Sequence, residues 1–103
     1  MQFEAVLRGA DFRPIEAQAR VSSLEEGDSL TLLREPGNRF DSNAIMVLDP
    51  DSEMHLGYVA KEVAAELAPL MDEGEEFVCS VGGKMSAKSV ILSILSSDEA
   101  DAS

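Results

Sequence analysis

The chain has 103 residues, 45% apolar and 5% aromatic with no tryptophan, which suits one domain around an aliphatic core. Its lone cysteine, Cys79, excludes an intramolecular disulfide and a cysteine-based metal cluster. Eight Lys and Arg against twenty Asp and Glu give a net charge of −12, a field that repels nucleic acid at long range.

Residues 2–8, QFEAVLR, alternate loosely and predict a strand, which Gly9 and Pro14 in GADFRP terminate. Glu4 and Arg8 interrupt this opening run, so it does not read as a signal peptide. Residues 15–24 predict a short helix with Ile15, Ala19 and Val21 or Ser22 near one face. EEGD is a turn, and residues 29–34, SLTLLR, predict the next strand. AIMVLD and MHLGYVA form a hairpin around the PDSE turn at 50–53. Residues 60–72, AKEVAAELAPLMD, predict the clearest helix. Val63, Leu67, Leu70 and Met71 fall at helical spacing, Gly74 closes it, and Pro69 kinks or tightens the last turn. EEFVCSVGG and KSVILSIL predict two final strands around a polar turn at 84–87. SSDEADAS is acidic and has no apolar anchor, so the domain is expected over 1–96 and a disordered tail over 97–103.

The expected fold is mainly β: a small OB-like barrel of six strands with one clear helix over one end and a second short helix. The sequence leaves the strand pairing open. No stretch approaches the roughly 18 apolar residues of a membrane span, so a soluble, cytoplasmic protein without a membrane partner is expected.

Catalytic and metal chemistry find little support. His55 is the only histidine and has no second His or Cys at ligand spacing, so no metal is expected. The acidic turn of Asp49, Asp51 and Glu53 lacks the glycine and the distal glutamate of a calcium loop. VGGKMS lacks phosphate-loop spacing and joins two strands. Cys79 sits in an alternating run, where an inert thiol is expected. The chain reads as non-catalytic and without a cofactor.

The informative stretch is Arg34 to Val47, REPGNRFDSNAIMV. As a purely structural loop, Pro36 and Gly37 would turn the chain and Asn38, Asp41 and Asn43 would bond their own backbone. Phe40 would then plug the barrel end. As a binding loop, Phe40 would be a stacking surface flanked by Asn38 and Asp41, a combination that holds single-stranded nucleic acid on small barrels. The residues alone favour the structural reading.

The run LREPGNRFDSNAIMVLDPDSEMHLGYVAKEVAAELAPLMDEG resembles the HIRAN domain, a module that stands alone in bacteria and phages or is fused to helicases and nucleases. The family pattern is approximately R-E-P-x-N-P-Y-D-x-N-A-I-x-V, a turn, I-G-Y-[LV]-x-[KR]-E-[LV]-A, and a leucine-rich helix. The resemblance implies an OB-like six-stranded barrel with two helices. It also implies a non-catalytic module that recognises single-stranded DNA with a free 3′-hydroxyl in repair or replication. Carried over by position, Asp41 accepts a hydrogen bond from the terminal hydroxyl and Phe40 stacks on a base. Asn38 bonds the adjacent phosphate or sugar, and Lys61 neutralises a phosphate near the helix start. Phe12 and Arg13 are the nearest equivalents of a family loop bearing an aromatic and an arginine. This chain departs from the pattern with Arg39 for proline and Phe40 for tyrosine. Tyr58 stands where a DNA-binding eukaryotic member has histidine.

Arg13, Arg39 and Lys61 are expected to form a small positive mouth, and binding to a single-stranded 3′ end to be weak and salt-sensitive. A helicase or nuclease partner fits the same resemblance. The charge of −12 motivates a second expectation, an acidic protein-interaction module or a DNA mimic that docks on a DNA-processing enzyme.

Overall fold

The computed structural model describes residues 1–101. Its elements are β1 (Gln2–Arg8), a 3₁₀ turn (Ala10–Phe12), α1 (Ile15–Ser23), β2 (Ser29–Arg34), β3 (Ile45–Leu48), β4 (His55–Val59), α2 (Lys61–Asp72), β5 (Phe77–Ser86), β6 (Ser89–Ser96) and α3 (Ser97–Asp101). The strands close into an antiparallel barrel in the order β1-β4-β3-β2-β5-β6. This is the small OB-like β+α architecture expected.

Closure depends on strands that change partners. β1 pairs with β6 from Gln2 to Val6, then leaves it and pairs with β4 at Leu7 and Arg8. β5 runs along β6 and reaches β2 only at Ser29↔Ser80 and Leu30↔Cys79. Register shifts between Val81 and Gly83 and between Lys84 and Ser86 bend this long hairpin, as bulges do.

The core is aliphatic. Leu24, Ile45, Leu56, Leu67, Leu92 and Ile94 are fully buried, and Phe3 and Phe77 meet edge to face at 6.1 Å at its margin. α2 buries Ala64, Leu67 and Ala68, and the two buried alanines let the helix sit close to the barrel. Pro69 removes one intrahelical bond, yet the helix continues to Asp72. It ends in a Schellman motif: Gly74, at φ 102°, donates to the Met71 carbonyl and Glu75 to that of Leu70.

The structure corrects the sequence reading at three places. α1 buries Ala17 and Val21, followed by Leu24, while Ile15 is 76% exposed and Ala19 is exposed. Both 15-19-22 and 17-21-24 follow the helical period, and it is the second face that packs on the barrel. The last hairpin is longer than expected, because β5 continues through Lys84 to Ser86 and only Ala87 and Lys88 separate it from β6. Ser97–Asp101, assigned by composition to a disordered tail, form a short helix whose first N–H donates to the Glu76 carbonyl at 2.9 Å. The rest of that assigned tail lies outside the described residues.

Gly57 fixes the contact between β4 and β1. A Cβ built there would lie 2.6 Å from the Arg8 carbonyl oxygen and 3.0 Å from Leu7 Cδ1. Neither backbone can yield without opening the barrel seam. G57A is therefore expected to lower stability by about 1–3 kcal/mol, the range for overpacking. Urea unfolding should show a lower midpoint at unchanged slope. An unaltered midpoint would mean the seam is not close-packed at this glycine.

Candidate nucleic-acid interface

The connection from β2 to β3 is a hydrogen-bonded loop over residues 35–44. Glu35 N–H donates to the Ala44 carbonyl at 3.0 Å and closes its neck. Asn38 Oδ1 accepts from the backbone N–H groups of Phe40 (2.8 Å) and Asp41 (3.0 Å). Asp41 Oδ1 accepts from Asn43 N–H at 2.9 Å, and the Asp41 carbonyl from Ala44 N–H at 3.0 Å. These Asx turns fix the backbone while directing two side chains outwards.

Arg34 holds the loop from beneath. Its Nη1 donates to the Ala44 carbonyl (2.7 Å) and its Nη2 to that of Ser42 (2.9 Å). Nε and Nη2 also pair with both carboxylate oxygens of Asp72, at 2.9 and 3.1 Å. The Arg34 side chain is only 13% exposed, so its guanidinium charge needs these acceptors. The pairing holds the Asp72 carboxyl below the usual carboxylate range.

Glu35 holds the loop from the side. Its Oε1 accepts from Asn38 Nδ2 (2.6 Å) and from the Tyr58 hydroxyl (2.8 Å). Tyr58 on β4 pairs with Met46 on β3, which pairs with Leu33 on β2, so the phenol reaches across β3 to Glu35. The Asn38 and Tyr58 hydrogen bonds keep the Glu35 carboxyl below its usual range, against the opposing effect of burial. Burial, and then Glu35, push the Tyr58 phenol above its ordinary 10. His55 packs edge-on against Tyr58 at 4.8 Å and meets the Gly57 carbonyl at 2.9 Å through Nε2. Burial, followed by the nearby Arg13 charge, pushes its imidazole below 6.5.

This frame borders a groove of about 580 Å³ between the loop and the start of α2. Phe40 is 94% exposed on its rim, so it does not plug the barrel. Asn38, Asp41, Tyr58 and Lys61, named from sequence, line the same groove. Arg39 is exposed on the loop but does not line it. Phe12 is 90% exposed on the 3₁₀ turn and also lies outside the lining. Arg13 donates through Nε to the His55 carbonyl at 3.1 Å, so part of it anchors the turn beside Tyr58. Asn38 is a loop-shaping residue here: its oxygen and one amide hydrogen are committed within the loop.

Four residues of the site escaped the sequence reading. Arg8 and Glu62 line the groove, and Arg34 and Glu35 build its wall. Arg8 falls in the outward phase of β1, a visible signal, but its pairing with Tyr58 requires the topology. Glu35 and Arg34 open the R-E-P run itself. Their roles are contacts across the barrel, which local spacing does not encode.

Elsewhere, burial pushes the Cys79 thiol up to about 12, leaving it inert as a nucleophile. Among the described residues, no group of three or more His, Cys, Asp or Glu could hold a metal ion.

A closed small barrel with a rigid loop, an exposed aromatic beside a carboxylate, and cations along a groove defines a binding module. The sequence profile of the HIRAN domain matches residues 3–92, and the chain belongs to the HIRAN domain family. That membership supports a nucleic-acid-binding module.

Among curated relatives, the Fanconi-associated nuclease 1 homolog of Arabidopsis thaliana is 49% identical over 53 residues, 52% of this chain and 6% of the relative. The Oryza sativa subsp. japonica homolog is 51% identical over 51 residues, 48% of this chain and 5% of the relative. The chain thus corresponds to a small fraction of these relatives' length. A Lactobacillus plantarum protein of solved structure superposes with TM-score 0.80 at 26% identity, covering 90% of this chain and 89% of that one. The HIRAN domain of human HLTF superposes with TM-score 0.74 at 21% identity, covering 92% and 74%, a likeness of fold.

Two measurements test the frame. R34K keeps the charge but loses the planar fork, and should lower stability by about 1–3 kcal/mol, the range for charge-assisted bonds. It should also speed amide exchange at Asn38–Asn43; unchanged protection would refute the clamp. Tyr58 is the only tyrosine and tryptophan is absent, so an ultraviolet titration reads its phenol alone. It should titrate above 10, and E35Q should bring it part of the way back, because burial is the larger cause. Glu35 has a depressed folded value, so its contribution to stability is present above the ordinary carboxyl value and is lost as pH falls through the folded one. Apart from a step from the neighbouring His55, which titrates below 6.5, the loop signature should therefore persist down to about the ordinary 4.5 and be lost only below it. Loss of the loop signature above that point would contradict the network.

Proposed function

We propose that this chain is a non-catalytic module that binds the 3′-hydroxyl end of single-stranded DNA in its Phe40–Asp41 groove. The observation that carries the reading is the pairing of a fully displayed ring with a half-available carboxylate on a rigid loop. Phe40 offers an aromatic face to a base. Asp41 uses Oδ1 to hold Asn43, which leaves Oδ2 to accept from a sugar hydroxyl. A carboxylate repels a terminal phosphate, so the same group selects an unblocked end. Arg8 and Lys61 supply positive charge along the groove. Ala60 offers no side-chain cap at the N-terminus of α2, which favours an anion beside Lys61. The names of the plant relatives, nucleases and a putative SWI/SNF-related chromatin regulator, favour a setting in DNA processing beside a helicase or nuclease.

The charge of −12 favours a second reading, an acidic protein-interaction module or a DNA mimic on a DNA-processing enzyme. It has a local counterpart in a depression of about 390 Å³ lined by Glu73, Glu75, Glu76 and Asp98.

Amide shifts on titration with short oligonucleotides separate the two. On the first reading, a 3′-hydroxyl oligonucleotide perturbs residues 38–43 and a 3′-phosphate oligonucleotide does not. D41N keeps the oxygen that accepts from Asn43 but exchanges the free oxygen for an amide, and should reverse that preference. F40A should weaken binding by about 1–3 kcal/mol, one base stack, without altering stability. Equal binding of both oligonucleotides would overturn end recognition, and no binding of either would favour the acidic module.

A further inference from the structure

The eight cations of the chain divide into two sets. Four act within the fold: Arg13 donates to the His55 carbonyl, Arg20 to Asp49, Arg34 to the loop and Asp72, and Lys84 to the Ser22 carbonyl at the end of α1. The other four, Arg8, Arg39, Lys61 and Lys88, are exposed and form no ion pair among the described residues. They are not scattered. Arg39 precedes Phe40, and Arg8 and Lys61 line the groove under it. Arg8 also lines a second groove, of about 300 Å³, together with Lys88, Ser86 and Ser89 of the β5–β6 hairpin.

The topology explains the connection. β1 leaves β6 after Val6↔Ile91, so Arg8 lies two residues further on, between Tyr58 of β4 and the start of β6 near Ser89. A chain leaving the first groove past Arg8 has two courses. One leads into a depression that carries Glu4 and Glu62 beside Arg8. The other leads into the Lys88 groove, where Asp11 is the lone carboxylate against two cations and two serine hydroxyls. For a strand with one phosphate per nucleotide, the sign of charge decides for the second course.

We propose that a single strand held by its end at Phe40 and Asp41 continues over Arg8 into the hairpin groove, where Lys88 pairs with a phosphate and the serines bond the backbone. This rests on the DNA-end reading above and extends it to a polymer site of two connected grooves.

The test uses deoxythymidine oligonucleotides of two and six residues with free 3′-hydroxyls, titrated against the whole chain and its K88Q variant. The dinucleotide stays in the first groove and should bind both proteins equally. The six-residue strand should bind K88Q about two- to fivefold more weakly, the scale of one exposed ion pair. Its salt dependence should also be shallower, by about 0.7 in log–log slope, for one lost phosphate contact. It should shift amides at 86–89, which the dinucleotide leaves unmoved. If both lengths bind the native chain but K88Q changes neither, the path is wrong and end recognition stands. If neither length binds the native chain, the end-reading site itself falls, and the path with it.

Discussion

The Arg34 guanidinium is the constraint on which the site depends. It joins three things that sequence separates: the end of β2, the returning limb of the loop at Ser42 and Ala44, and the last turn of α2 at Asp72. α2 carries Lys61 at its other end, so one planar group couples the loop that displays Phe40 to the helix that supplies the facing cation. The Asp72 arm is exposed and contributes little by itself. The carbonyl arms matter more, because the side chain is mostly buried and the part-buried bond to the Ala44 carbonyl would otherwise leave an unsatisfied donor. A lysine at this position could neutralise Asp72 but could not span two carbonyls and a carboxylate in one plane.

Much of the fold was legible because the strands alternate and the turns are chemically marked. β1 and β2 begin and end where their alternation does, and Gly74 marks the end of α2. α1 is harder to read, since the large Ile15 draws the face to itself and away from the small buried Ala17, although Val21 is among the positions expected on that face. The β5–β6 hairpin reads as shorter from sequence because Lys84 and Ser86 look like turn residues, although here both lie on a strand and Lys84 reaches to the end of α1. Of the site, the loop and the backbone bonds of Asn38 and Asp41 are legible as the structural reading of the residues, whereas Phe40, a plug on that reading, is exposed. Asn38 reads as a ligand group from its place beside an aromatic. In three dimensions its side chain holds Phe40 and Asp41, as the structural reading expects, and also the Glu35 carboxylate, a side-chain contact that spacing does not convey.

The charge of −12 and a site for a polyanion conflict less in space than in composition. The molecule measures 36 × 34 × 23 Å, while charge is screened over about 8 Å at physiological ionic strength. The carboxylates around Glu75 and Asp98 belong to a separate depression from the Phe40 groove. Contact energies at a groove are governed by the charges along it, whereas total charge acts mainly on the rate of encounter. The four exposed cations that form no ion pair among the described residues border the two grooves that share Arg8 or the loop above them.

Acidity within the groove has a different consequence. Asp41 and Glu62 lie beside Arg8 and Lys61, so the site is not a uniformly positive track. A uniformly positive track would hold any stretch of a strand and give no preference for its end. A carboxylate next to an exposed ring would penalise a phosphate there and could accept from a hydroxyl. On the proposed reading, binding in register then requires the one position of a strand where no phosphate follows the sugar. The backbone arrangement suits that demand, because Asp41 is fixed through one oxygen by Asn43 and through its own N–H by Asn38. A carboxylate free to rotate away would neither reject the phosphate nor meet the hydroxyl, so on that reading the loop's rigidity and the proposed selectivity would have the same physical origin.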